Sequence, residues 1–389
     1  MGKKIIIFLS AFLGLVLFLT PQPGNSQIRI GMSAAITGPA SDTFLPTYEA
    51  FKCYFQKIND EGGIRGQKVE FIFEDDRGES ARAMSIVKKF IDRKVALIIN
   101  ASTSATYAAI LSEGKNAKIP VLFAGGVCPK EPYPPADPYV FCSTTFGVTY
   151  DSEFAIPFIK EMSKGEKVNL GFVATNIPIS RTGVEVAEKL AKEAGMNIKE
   201  KMAIPLDTAD YTPFASKIKE AGCNWVFSWA IWNTQIGVYE ALYRLGWKGN
   251  YLCWAHIPAE YELNRLKTDN LFVFGGNALF SENLPAHQEI INVAKKCGAT
   301  YPVTYMVEGW TAAIVLHEIL KACPNPNDPP QLLSSMNKTS ANMRELRGGP
   351  IEWSVSNHFR TNTYYKVYKW DSGKGKIVTV KEWSKVEVK

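Results

Sequence analysis

The sequence predicts an α/β protein of two lobes, each a mainly parallel sheet covered by helices. Three observations predict it. Short apolar runs alternate with amphipathic helical runs from residue 28 to residue 123. The same alternation returns between about 150 and 254. The length of 389 residues suits two domains with buried cores, at roughly 150 residues each. Strands separated by helices pair in parallel, because the chain must cross back over the sheet between them.

The elements follow in order. Ile28-Arg29-Ile30-Gly31-Met32 reads as a strand. Tyr48 to Asn59 carries apolar residues at helical spacing and stops at Gly62-Gly63. Lys68 to Glu74 alternates, with Val69, Phe71 and Phe73 on one face, as a strand does. A helix from Ser80 to about Arg93 leads to the buried strand Val95–Ile99. A helix from about Ser104 to Ala117 leads to the strand Val121–Phe123. In the second unit, strands near 168–173, 198–204, 225–229 and 250–254 alternate with helices near 150–162, 182–194, 211–221 and 233–245. Residues 286–322 read as mostly helical, 325–330 as a proline-rich loop, and the chain from Gly349 on as strands with turns at Asn357 and Ser372-Gly373.

Composition narrows the function classes. The chain is 46% hydrophobic and 21% charged, with a formal charge of +6 and no long basic run, so nucleic acid is not the expected partner. Lys3 and Lys4 precede the apolar stretch Ile5 to Leu19, followed by Pro21, Pro23 and Gly24-Asn25-Ser26. That is the layout of a secretory signal peptide, with cleavage expected after Ser26. Fifteen residues reach about 22 Å, short of a ~30 Å hydrocarbon core. An exported chain meets oxidising conditions, and an odd count of seven cysteines leaves at least one thiol. Cys128–Cys142 is the first expected bridge, Cys297–Cys323 and Cys223–Cys253 are further options, and Cys53 reads as a buried thiol. No Cys-x-x-Cys, His-Glu-x-x-His or Gly-x-Ser-x-Gly occurs, and the four histidines are scattered, so neither an enzyme nor a bound metal or cofactor is expected. The pair Asp75-Asp76 reads as a turn cap rather than a cation site.

Several strings, in order and at matching distances, carry a resemblance. They are Ile36-Thr37-Gly38-Pro39-Ala40, Ile58-Asn59-Asp60-Glu61-Gly62-Gly63-Ile64-Arg65-Gly66, Glu74-Asp75-Asp76, Ile119-Pro120-Val121 and Asp210-Tyr211-Thr212-Pro213-Phe214. With them the chain resembles the type I periplasmic solute-binding proteins of ABC importers, in the leucine/isoleucine/valine-binding branch. The resemblance implies two Rossmann-like lobes and a three-crossing hinge, with crossings near 145, 277 and 351. Lobe 1 is then 27–145 plus 278–350, and lobe 2 is 146–277 plus 351–389. It implies a periplasmic location, a small carboxylate ligand held between the lobes, and a membrane permease as partner.

The resemblance also implies site positions. Thr103 and Ser104 precede a helix and offer hydroxyls and amides to a carboxylate. Gly125, Gly126 and Val127 match a segment whose backbone meets the same group. Thr43, Phe44 and Tyr48 stand at positions near the ligand side chain, and Thr182, with Arg181 before it, stands where the family often carries a tyrosine. An acid that usually holds the ligand ammonium is missing from Trp254-Ala255-His256-Ile257. Trp229, Trp232 and His256 are expected at the cleft edge instead, which favours an aromatic or amine-free organic acid. The ligand thus stays open between a branched-chain or other amino acid and such an acid. A role as ligand sensor for a separate receptor is the remaining alternative.

Overall fold

The structure, a computed structural model, describes residues 27–254 and 259–388. The signal-peptide segment and His256 lie outside the described residues.

The first sheet is assembled from β1 (Ile28–Ala34), β2 (Val69–Asp75), β3 (Leu97–Ala101), β4 (Val121–Phe123) and β5 (Val140–Cys142). Its order is β2-β1-β3-β4-β5, parallel throughout. Its crossover helices are α1 (Ser41–Asp60), α2 (Ser80–Asp92) and α3 (Tyr107–Asn116). Helix α1 starts earlier than the periodicity predicts, and Pro46 lies within it. Burial of Phe44 and Thr47 offsets the one backbone bond that Pro46 cannot make. Strand β5 had no signal of its own, because its three residues carry no readable period.

After α4 (Val148–Met162) the chain builds a second sheet. Strands β6 (Asn169–Thr175), β7 (Asn197–Ile204), β8 (Trp225–Trp229), β9 (Asn250–Trp254) and β10 (Leu271–Gly275) alternate with α5 (Pro178–Glu193), α6 (Thr212–Glu220), α7 (Trp232–Arg244) and α8 (Ala259–Leu266). Proline in the first turn of α5 and α6 fits helix starts, where no amide donor is needed.

The chain then returns to the first sheet. Helices α9 (Pro285–Cys297) and α10 (Val307–Ala322) pack on α1, and α11 (Pro329–Met336) packs on α10. Helix α10 is apolar nearly all round because it is enclosed: Trp310, Ala313, Leu316 and Leu320 are fully buried. A ribbon of β11 (Ser340–Ala341) and β12 (Ile351–Glu352) follows. Finally β13 (Asn362–Asp371) and β14 (Lys376–Glu387) join the second sheet antiparallel, giving β14-β13-β10-β9-β8-β6-β7.

Residues between β12 and β13 still touch the first sheet. The Cys142 amide donates to the His358 carbonyl at 3.0 Å, and Trp353 packs on Phe141 at 5.1 Å between ring centroids.

The cysteines differ from expectation in part. Cys128–Cys142 is bridged. Cys53 is not a thiol: it bridges Cys297, with Cα atoms 5.4 Å apart. The pairing joins α1 to the end of α9 across 244 residues, a proximity created only when α9 packs on α1. Cys223, Cys253 and Cys323 are buried free thiols, so neither Cys297–Cys323 nor Cys223–Cys253 forms.

Candidate functional site

The carboxyl ends of both sheets face one cleft, made of two adjoining cavities that share Thr43 and Gly126. Clefts at this edge of parallel sheets are where helix N-termini and loops converge on ligands.

The larger cavity is about 540 Å³. One wall is the loop after β3. Buried Asp76 shapes it, accepting the Ser33 and Ser102 hydroxyls at 2.6 Å each and the Gly78 amide at 2.8 Å. The Thr103 hydroxyl donates to the Gly78 carbonyl at 3.2 Å. This anchoring presents Thr103, Ser104 and the start of the following helical turn to the cavity. The first amides of a helix lack intrahelical acceptors and favour an anion. A second wall is the loop after β4, held by the Tyr107 hydroxyl on the Val127 carbonyl at 2.7 Å and by the Cys128–Cys142 bridge. Gly126 has φ +75°, and a Cβ there would sit 3.1 Å from the Tyr107 hydroxyl. The opposite wall comes from the starts of α4 and α5: Val148, Thr149, Tyr150, Ile177, Ile179 and Thr182. Among the described lining residues there is no carboxylate, and the one cation is Lys130, exposed at the rim.

The smaller cavity, about 180 Å³, has the opposite character. Asp42, Glu260 and Glu308 line it together with Phe146, Trp232, Phe280 and Tyr305. Glu260 accepts the Phe280 amide at 2.8 Å. Burial pushes its carboxyl up, the Phe280 and Ser281 amides oppose that, and nearby Glu282 adds to it. Burial thus disfavours the charged form of Glu260, and a cation beside it would favour that form. Trp232 donates its indole N–H to buried Glu262 at 2.7 Å, fixing the ring.

Beneath the cleft lies Asp151 of α4, fully buried. It accepts the Trp229 indole N–H at 3.1 Å and the Tyr365 hydroxyl at 2.6 Å. Burial pushes its carboxyl up to about 7, against those hydrogen bonds and the Arg360 charge. The unfolded value is about 3.9. The native state therefore binds the proton more tightly, and stability falls as pH rises from about 4 to about 7, then levels. The expected loss is on the order of a few kcal/mol. Urea midpoints measured across that range show the slope in the natural protein and a flattened slope in Asp151→Asn. An equal slope in both would remove Asp151 as the titrating group.

A family model described as periplasmic binding protein matches residues 27–376. The chain is a periplasmic binding protein. It is similar to the Leu/Ile/Val-binding protein homolog 1 of Brucella melitensis, 20% identical over 354 residues covering 90% of this chain and 91% of that one. In structure it is similar to a branched-chain amino acid ABC transporter protein from Thermus thermophilus with bound valine. There the TM-score is 0.79 and the identity 20%, over 93% of this chain and 97% of that one. It is also similar to an R. palustris solute-binding protein in complex with 4-hydroxybenzoate, with TM-score 0.76 and 16% identity over 93% and 98% of the two chains. This periplasmic binding protein thus has the type I fold. The family is one of periplasmic binding proteins.

Against the cleft of this binding protein, the residues singled out in sequence divide. Thr103, Ser104, Val127, Phe44 and Thr182 line the larger cavity, Gly125 and Trp232 the smaller, Thr43 and Gly126 both. Three lie elsewhere. Trp229 is buried under the cleft, stacked on Trp254 at 4.2 Å, because its indole N–H is taken by Asp151. Tyr48 packs edge-on against Phe73 at 4.6 Å. Arg181 points to solvent and holds the Asn176 side chain at 2.8 Å. Sequence reasoning missed Glu260, Asp42, Glu308 and Lys130. Glu260 follows the stretch in which an acid was sought by only a few residues, and no one-dimensional spacing places it in the wall.

Proposed function

We propose that this protein captures a small carboxylate ligand between its two lobes, foremost a branched-chain or other amino acid, and delivers it to an ABC transporter permease. The polarity of the cleft carries the reading. One end offers hydroxyls, loop amides and Lys130; the other offers Glu260, whose carboxyl burial has pushed up. A zwitterion satisfies both ends, its carboxylate at Thr103, Ser104 and Gly125–Val127 and its ammonium toward Glu260. A buried ammonium needs such a partner. The aromatic and aliphatic walls suit an apolar side chain.

A second reading, an aromatic or other amine-free acid, is favoured by the acid-free, aromatic-lined larger cavity among the described residues. Ligands of both kinds occupy proteins of this fold: valine in one of the similar structures, 4-hydroxybenzoate in another.

The lobes of this reading are 27–145 plus 278–350 and 146–277 plus 351–389. Sheet membership supports the first two crossings. The third is better set near Arg360 than near 351, since His358 is still bonded to β5.

Titration calorimetry of the chain from Gln27 with L-leucine, L-phenylalanine, 4-hydroxybenzoate and phenylacetate tests the proposal. Amino acids bind, and Glu260→Gln weakens them at least tenfold, about 1.4 kcal/mol, while leaving amine-free acids unchanged. Binding confined to 4-hydroxybenzoate or phenylacetate would replace the first reading by the second.

A further inference from the structure

Three stretches of chain run between the two sheets, and two of them meet at one carboxylate. Glu308 stands in the first turn of α10, a helix packed on the first sheet's α1. Its side chain is 13% exposed and lines the cleft. One oxygen accepts the Thr145 amide at 2.7 Å; the other accepts the Thr145 hydroxyl at 3.0 Å and the Asn277 side-chain amide at 2.6 Å. Thr145 belongs to the first crossing and Asn277 to the second. Arg347 reinforces the junction: its guanidinium lies 3.4 Å from Glu308 and donates to Asn277 at 3.0 Å and to the Ser143 carbonyl at 2.7 Å. Arg360 donates to the Thr144 and Thr145 carbonyls. The first two crossings touch so closely that a Cβ on Gly276 would sit 2.6 Å from the Thr145 methyl.

We infer that Glu308 is a positioning residue that ties the occupancy of the cleft to the angle between the lobes. The inference rests on the proposed capture of a ligand between them. The same carboxylate faces the ligand space and holds two crossings. A polar group entering the smaller cavity competes for its lone pairs, so the bonds that set the hinge respond to the ligand. By linkage, whatever changes the hinge bonds changes ligand affinity in return. Crossings held by one side chain have few alternative arrangements, which makes a discrete open and closed pair more natural than a continuum.

Two variants test this. Glu308→Gln keeps the shape and one acceptor but removes the charge. Thr145→Val removes one hydroxyl bond and leaves the Glu308–Arg347 pair intact, so it covers the case in which the first variant fails to fold. Small-angle X-ray scattering on the ligand-free proteins reads the lobe angle without any ligand. The expected result is a changed pair-distance distribution in both variants, and about tenfold weaker binding of L-leucine, or of 4-hydroxybenzoate if only that probe binds. A role confined to local stability lowers the melting temperature without moving the scattering curve. Scattering curves and dissociation constants that match the natural protein, whatever the melting temperature, overturn the inference. Altered scattering with no binding of any probe defeats the capture reading and leaves the hinge assignment standing.

Discussion

Arg347→Met lowers unfolding stability by about 3–5 kcal/mol, the usual cost of breaking a buried ion pair by removing one partner. The side chain is 6% exposed. Burial pulls its guanidinium down to about 10, with Glu308 opposing that shift, so it is still charged at neutral pH. It donates to Asn277, to the Ser143 carbonyl and to the Thr311 hydroxyl, the last at 2.6 Å. Methionine fills much of the volume but donates nothing. Ser143 is then left without its side-chain donor and Glu308 without its ion-pair partner, and each adds a desolvation cost to the lost contact. Guanidinium melts with a common slope measure the difference. A loss below 1 kcal/mol would show that the crossings rearrange to supply other donors.

Replacing both Cys53 and Cys297 by alanine lowers stability by about 2–5 kcal/mol, the range for loss of a native disulfide. The bridge closes a loop of 244 residues, so its removal frees the unfolded chain more than the native one. Both sulfurs sit where α9 meets α1, and packing there holds the native arrangement without the bond. The variant therefore folds to the same structure and melts earlier. Thiol titration of the denatured natural protein gives the companion result: three of the seven cysteines react before reduction and all seven after it. Five or seven reactive thiols before reduction would mean that one or both bridges are absent. A melting temperature unchanged in the double variant would mean that the closed loop does not constrain the unfolded chain.

Much of the cleft was legible because its residues announce themselves locally. Thr103 and Ser104 combine a strand end, hydroxyls and a helix start within a few positions. Gly125-Gly126 marks a close approach, and the positive φ of Gly126 beside Tyr107 is its physical cause. The tryptophans were harder. Trp229 and Trp232 stand three residues apart, yet one is buried on Asp151 and the other lines the cleft, since strand β8 ends between them and helix α7 begins. Aromatic character alone does not tell core from cleft. The carboxylates were hardest. Glu260, Glu308 and Asp42 come from α8, α10 and α1, and no spacing rule connects three helices that distant in sequence.

The sequence by itself determined the α/β class, the alternation of strands and helices, the family, and the loops at 103–104 and 125–127 that line the cleft. These follow from periods of two and 3.6 residues and from short motifs, all local quantities. The tertiary structure alone decided the Cys53–Cys297 pairing, the acidic end of the cleft and the Glu308–Arg347 junction of the crossings. Each depends on side chains that meet only after α9 and α10 have returned to the first sheet. Burial then sets the energies, pushing Glu260 up and making Arg347 costly to lose, and burial is a property of the packed molecule rather than of any stretch of its sequence.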